Sequence, residues 1–327
     1  MNTSQLVLCG HMSIYSLYSN TSSTTDMASD IAVCVINILL AILTTVGNAS
    51  VIAAYMKNTN LQTKNNLLIV ALAMTDLIVG LWAQPSFVWV KITEMDGRID
   101  CRIEIINDLT TKFCITVSLL ILCVIVSAER YFAVFHPFKH RTWLTKRKLL
   151  GTIAVICIGV GMFVISIPLG IHHHIYRPVG IIIILISLFT PVSLYVKIAK
   201  KLRKMKVKTQ PGNLERCCSG GITAVQQIRY AVTLFYVFGA LCVTHFPMII
   251  GFLYVSISGQ HSFYQKFFWT WGVTFLFLNS FCNPIIYSWR NRHMSLGIRK
   301  LFVRRNTMVT GGKTIHVTAI QLRSTVG

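Results

Sequence analysis

Asp76 stands in Leu72-Ala73-Met74-Thr75-Asp76-Leu77, inside a long apolar stretch. A carboxylate at the centre of a membrane helix costs roughly 2.5 to 3.5 kcal/mol on insertion scales, so it needs partners and marks a functional site by default. Asn48, Asn279, Ser280 and Asn283 fall at similar depth in two other apolar stretches and offer suitable amides and a hydroxyl. Two chemistries fit that set: a structural polar network, or a seat for a small cation. Pro284 frees the carbonyl of Ser280, four residues earlier, and kinks its helix. Asn283 is placed to bond that freed backbone, and Tyr287 follows one turn on. A kink beside polar groups can form a two-state element or simply a packing bend. Glu129-Arg130-Tyr131 closes a further apolar stretch, where Arg130 either snorkels to the interface or is kept for a partner. No nucleophile elbow, His-Glu-x-x-His or paired catalytic carboxylate lies in the apolar stretches, so no enzyme is expected.

The elements that must hold these residues follow from composition. The 327 residues are 54% hydrophobic and only 13% charged, where a soluble domain carries about 25% charged residues. Mean hydropathy is +0.61, and too few polar groups remain to cover a globule in water. A bilayer core needs roughly 20 apolar residues of helix. Seven such runs occur, at about 31–56, 66–90, 105–131, 148–170, 179–200, 227–255 and 267–288. The predicted fold class is therefore an all-α membrane protein, a bundle of seven transmembrane helices. Net charge is +21, yet nucleic acid is not the expected partner, because the charge is not gathered on one face. Of 31 Lys and Arg, only Lys91, Arg98, Arg102, Lys112, Arg177 and Lys266 fall outside four blocks that follow runs one, three, five and seven. Asp26, Asp30, Glu94, Asp96, Asp100, Glu104 and Asp108 lie on the opposite side. That asymmetry predicts a multi-pass plasma-membrane protein with its N-terminus outside and its C-terminus cytosolic.

Three regions result: an extracellular tail over 1–30, a membrane domain over 31–303, and a structureless cytosolic tail over 304–327. The sequons at Asn2 and Asn20 place glycans on the outer tail, whereas a third match at Asn48 falls inside a membrane helix. After Tyr287, basic residues alternate with apolar ones, which predicts a short amphipathic helix lying on the inner leaflet.

In order along the chain come Gly47-Asn48, Leu72-Ala73-Met74-Thr75-Asp76, Glu129-Arg130-Tyr131 with Val134 and Pro137, Phe246-Pro247, and Asn279-Ser280-Phe281-Cys282-Asn283-Pro284-Ile285-Ile286-Tyr287. In register with seven crossings, these motifs resemble the rhodopsin-like (class A) family of G-protein-coupled receptors over residues 31 to 303, with a weaker resemblance to its melanocortin, adenosine, cannabinoid and lysophospholipid branch. The resemblance implies an extracellular agonist bound among the outer helix halves and a heterotrimeric G protein at their inner ends. Glu129, Arg130, Tyr131, Pro137 and Phe138 would serve G-protein coupling. Asn48, Asp76, Asn279, Ser280 and Asn283 would form the polar core, which in resting receptors often holds sodium, the one cofactor implied. His245, Pro247, Pro284 and Tyr287 would form the activation switch. Here His245 replaces the family's usual tryptophan, Gln227 replaces a restraining acid, and Leu119 replaces a serine of the sodium site.

By the same resemblance, Lys112 stands where amine receptors carry an aspartate, and Phe277 where opsins carry the retinal lysine. Ligand candidates are Glu104, Asp108, Lys112 and Phe252. Glu104, Asp108 and Lys112 are spaced by four and share one helix stripe, which gives either an ordinary Asp108–Lys112 pair or part of an acidic mouth with Glu94, Asp96 and Asp100. The mouth favours a basic peptide or amine; Lys112 favours an anionic lipid or nucleotide group. The family's usual disulfide to the second outer loop has no cysteine there to use, so Cys9 is the expected partner of Cys101, with Cys34 second and free thiols as the alternative. No metal is expected, since consecutive His172, His173 and His174 cannot converge on one ion. The competing function is a polytopic transporter or a non-signalling seven-helix protein, neither of which needs the Arg130–Pro137 or Asn283–Tyr287 segments.

Overall fold

The structure is a computed structural model. It describes residues 24–98, 101–121, 145–166, 239–251, 263–290, 292–302, 306–310 and 313–317, with parts of 131–142 and 179–200. Helix α1 spans Thr24–Lys57, 34 residues, or about 51 Å of helix. It starts seven residues before the predicted run, so the end of the outer tail is helical. Asp26 and Asp30 in its first turns suit the positive end of the helix dipole. A single 3-10 turn, Thr59–Leu61, leads to α2, Lys64–Ile78, whose first amides are capped by the Thr63 hydroxyl accepting from the Asn66 N–H at 3.3 Å.

The second run is not one regular helix. A π-helical turn, Val79–Ala83, separates α2 from α3, Gln84–Met95. Pro85 explains it: the ring cannot donate and crowds the carbonyl four residues back, so the turn before it widens. Gly80 in that turn lies against α1, where a Cβ would come within 2.6 Å of Thr45 Oγ1 and 3.2 Å of the Ala41 carbonyl. The chain then reverses at Gly97, whose φ of 68° suits glycine. Helix α4 covers Cys101–Leu119, α5 Lys146–Ser166, α6 Gly239–Gly251 and α7 Phe263–Arg290.

Among the described residues, three helical stretches are long and apolar enough to cross a membrane: Met27–Lys57, Asn66–Met95 and Lys146–Ser166. Large apolar side chains such as Val155, Met162 and Leu39 are exposed, as lipid-facing residues are. The interior packs Leu68, Leu72, Val117, Ile121, Leu149, Leu241 and Tyr287 together. Gly47 lets α7 approach α1, since a Cβ there would stand 2.9 Å from Pro284 Cγ.

Helix α8, Arg292–Phe302, realises the predicted amphipathic helix. Met294 is fully buried among Val51, Ala54, Leu61 and Ala73, while Arg292, Arg299 and Lys300 are exposed. The tail after α8 departs from expectation. Asn306–Thr310 and Lys313–Val317 pair as an antiparallel two-stranded ribbon. Val309, Ile315 and Val317 favour strand, a signal that the absence of helical periodicity had hidden.

Candidate functional site

Three polar zones stack along the bundle axis. The innermost is the core around Asp76, which is 1% exposed. Asn283 donates to Asp76 Oδ2 at 2.8 Å, joining α7 to α2. Asn48 donates to the Thr44 carbonyl at 2.9 Å and to the Ser280 carbonyl at 3.1 Å. The carbonyl freed by Pro284 is therefore capped from α1 by Asn48, which corrects the expected assignment to Asn283. Asn283 is drawn instead to the carboxylate, the stronger acceptor. Asn48 Oδ1 and Asn283 Oδ1 remain buried without partners. Those oxygens, with Asp76, are the donor set a sodium ion or water would use. Tyr287 packs one turn below, 6% exposed.

The middle zone is a small cavity lined by Cys114 and Ser118 of α4, His245 of α6 and Asn279 and Ser280 of α7. Ser280 belongs to both zones, because its carbonyl holds Asn48. Ser118 therefore faces the interior beside Leu119, although helix geometry sets it about 100° from that position. Pro247 lies one turn outward of Thr244 in α6, half-buried.

The outer zone is charged. Lys91 is 4% exposed and lies 2.8 Å from Glu94 Oε2 and 3.9 Å from Asp30 Oδ1. Its ammonium also stands 5.9 Å from the centre of the Phe87 ring. Asp108 and Lys112 form the expected pair one turn apart on α4. Glu104 sits just outside the third run, partly buried rather than solvated. Burial, with Glu94 and Asp108 nearby, pushes its carboxyl up to about 7 against the pull of Lys91. Arg98 and Asp96 pair in the open and leave this zone alone. Cys101, on the Glu104 stripe, is disulfide-bonded, and Cys34 is free, which removes the second candidate partner.

The buried Lys91–Asp30 pair was missed from sequence. Its signal was a lone lysine near the outer end of run two, facing an acid-rich side. A belt of buried polar residues was missed as well. Asn37 donates to Thr274 Oγ1 at 3.0 Å, and Asn107 donates to the Ala83 carbonyl and Ser86 Oγ, both at 2.7 Å. Glu129, Arg130, Pro137, Phe138, Phe252, Asn2, Asn20 and Cys9 lie outside the described residues. Tyr131 is described, with its ring stacked on Phe135 at 4.6 Å.

A proline-bearing helix bound to a buried aspartate, among apolar helices with a charged outer end, is an arrangement that fits a membrane receptor. Residues 47–181 match the family described as 7 transmembrane receptor (rhodopsin family). Over 323 residues the chain is 26% identical to the histamine H2 receptor of Homo sapiens, covering 91% of this chain and 87% of that protein. The histamine H2 receptor of Canis lupus familiaris is 28% identical over 295 residues, 83% of this chain and 79% of that protein. The D(1B) dopamine receptor of Mus musculus is 33% identical over 141 residues, 42% of this chain and 28% of that protein. These matches support a rhodopsin-like, class A, G-protein-coupled receptor. The same matches support a receptor that signals through a G protein, and not the alternative of a transporter.

Proposed function

We propose that the agonist is cationic, a small amine or the basic end of a peptide, and that its charge is received by Glu104 and Asp108 on the outer stripe of α4. The observation that carries this is the local charge balance. Asp30, Glu94, Glu104 and Asp108 gather around Lys91 and Lys112, so the cluster keeps an excess of carboxylate. Both lysines are already matched by acids. The relatives named for histamine and dopamine make those amines the first probes. Lys112 occupies the depth where amine receptors resembling this chain carry an aspartate, which moves the ammonium one or two turns outward. Phe252, outside the described residues, is a further candidate contact.

Lys112 supports a second reading, an anionic lipid or nucleotide agonist whose acidic group displaces Asp108. The two readings differ in sign. Histamine, dopamine and a basic peptide panel are applied to cells expressing the receptor or its Glu104→Gln variant. Activation by a cation that weakens at least tenfold in the variant supports the first reading. Activation by anions alone, lost in Lys112→Gln, overturns it.

On the inner side, the basic blocks support a cytosolic face at Arg130 and the C-terminus and an outside N-terminus, with glycans at Asn2 and Asn20. Arg130, with Glu129, Tyr131, Pro137 and Phe138, receives the G protein. Arg130→Ala is expected to abolish nucleotide exchange at unchanged surface level, and retained exchange refutes that role. Asp76 with Asn48, Asn279, Ser280 and Asn283 is the fitting seat for resting-state sodium. Leu119 withdraws one hydroxyl from that seat.

A further inference from the structure

Gln84 opens α3 with an amide that is 0% exposed, and neither its Nε2 nor its Oε1 has a partner among the described residues. It is not alone at that depth. Asn37 of α1, whose amide hydrogens go to the Val33 carbonyl and to Thr274 Oγ1, keeps a buried Oδ1 with nothing bonded to it. Thr111 of α4 and Thr270 of α7 each bury an unbonded hydroxyl. Two contacts set the level of Gln84. Asn107 of α4 donates to Ala83 and Ser86 on either side of it, which puts it level with the Asp108 turn. Gly80, one turn inward of Gln84, stands against Ala41, one turn inward of Asn37, so Gln84 and Asn37 share one depth on the two sides of the α1–α3 seam. Native interiors leave few buried polar atoms unbonded, and these five gathered in one belt of the bundle require an explanation.

We propose that Asn37, Gln84, Thr111 and Thr270 form a subsite for a carboxamide, carried by the same agonist whose ammonium Glu104 and Asp108 receive. The chemistry follows from the atoms. Gln84 presents a donor and an acceptor side by side, which a second amide answers with two parallel bonds, and Asn37 Oδ1 takes its remaining N–H. None of the four residues carries a charge, and Lys91 outward of them is already held by Asp30 and Glu94, so the subsite is neutral. Val33, Phe87, Val273 and Phe277, from the same turns of α1, α3 and α7, pack together with the Phe87 and Phe277 rings edge to face at 5.7 Å. Apolar walls with a few placed polar groups are the usual make-up of a small-molecule site. Entry is from the mouth, where Lys91 and Asp30 stand two turns outward of Gln84 and Asn37 and meet at 3.9 Å, too long for a hydrogen bond and open to exchange. Neighbouring helix axes lie about 8 to 10 Å apart, so an ammonium and an amide a few bonds apart reach both Asp108 and Gln84. This inference rests on the cationic reading above and narrows it from any amine to one that carries an amide.

The test uses full-length receptor in lipid nanodiscs and two amines of like size and charge. β-Alaninamide ends in a carboxamide, and 3-methylbutylamine ends in an isopropyl group of the same shape. Binding is measured as the shift in thermal midpoint across a concentration series. β-Alaninamide is expected to bind about thirtyfold tighter, because a site built for hydrogen bonds rejects the analogue that lacks them. Gln84→Leu is expected to bring the two amines within about threefold while folding as well as the parent, since it removes the orphaned amide. Thr270→Val narrows the gap in the same direction and serves where Gln84→Leu fails to express. Glu104→Gln weakens both amines alike, and so reports on the ammonium site alone. Equal affinity for the two amines, or a preference that survives both Gln84→Leu and Thr270→Val, overturns the subsite and leaves the cationic reading in place. Binding of neither amine, or binding of both that Glu104→Gln leaves unchanged, overturns the cationic reading and the subsite with it.

Discussion

Removing the positive charge of Lys112 should raise the potency of a cationic agonist, and the size of the effect follows from the helix. Glu104 and Lys112 share one stripe of α4, eight residues apart, which is about 12 Å along the axis. At an effective dielectric constant of about 20, two unit charges that far apart repel by about 1.4 kcal/mol, or tenfold in affinity. Screening at physiological salt, where the Debye length is about 8 Å, would reduce this to less than about twofold for fully exposed charges, and in this partly buried mouth, where screening is weaker, to about threefold. Lys112→Gln keeps a shortened apolar stem with a hydrogen-bonding amide while deleting the charge. It also releases Asp108, whose side chain is 23% exposed beside Lys112, and so adds a second free carboxylate to the mouth. The expected outcome is a threefold to tenfold leftward shift in the amine dose–response for nucleotide exchange, shrinking at high salt. Asp108→Asn should shift the curve the other way. A rightward shift in Lys112→Gln refutes the reasoning, because it means that the ligand's own negative group had been using the lysine.

Three further outcomes are expected. Because Glu104 titrates at about 7, cation potency should climb between pH 6 and 8 as the carboxylate forms, with Lys91, Glu94 and Asp108 as the neighbouring charges; a flat curve refutes its part in binding. The sign for stability is opposite, since a carboxyl raised above its unfolded value of 4.5 costs folding energy as pH rises from about 4.5 to 7. Gly80→Ala drives a Cβ to 2.6 Å from Thr45 Oγ1 and 3.0 Å from the Thr45 backbone nitrogen, which should cost about 1 to 3 kcal/mol and lower the thermal midpoint; Gly159→Ala, with nothing within 4 Å, serves as the control, and equal midpoints contradict the packing. Peptide mapping without reductant should join Cys101 to Cys9, the remaining cysteine on the outer side once Cys34 is free; a different partner refutes that pairing.

What the sequence made legible is what lipid constrains along one dimension. Length sets the crossings, charge sets the sides, and a carboxylate such as Asp76 is conspicuous because hydrocarbon makes it expensive. Depth alone brought Asp76, Asn48, Ser280 and Asn283 together correctly. Angle around the helix was not legible. Whether Asn48 or Asn283 caps the Ser280 carbonyl depends on how α1, α2 and α7 rotate against one another, and Gly47 beside Pro284 and Gly80 beside Thr45 set that rotation through contacts more than 30 residues apart in the chain. The same holds for Lys91, which needed Asp30 of another helix to become a buried pair. The tail ribbon escaped because its two strands are five residues each, too brief for periodicity.

Helix α4 connects the mouth to the switch. Glu104, Asp108 and Lys112 lie on one of its stripes, while Asn107, Thr111, Cys114 and Ser118 lie on the adjoining buried stripe. A rigid helix cannot turn one stripe without the other, so a ligand that draws Glu104 and Asp108 also moves Ser118 within the cavity that faces His245. An agonist can shift this equilibrium only by its differential affinity for the two arrangements. One charge-assisted hydrogen bond contributes about 1.5 to 3 kcal/mol, so a bond formed in the active arrangement alone shifts the population by about tenfold to a hundredfold. A single ammonium on the outer stripe is therefore sufficient to shift the population, and an agonist needs no contact with the buried cavity to do so.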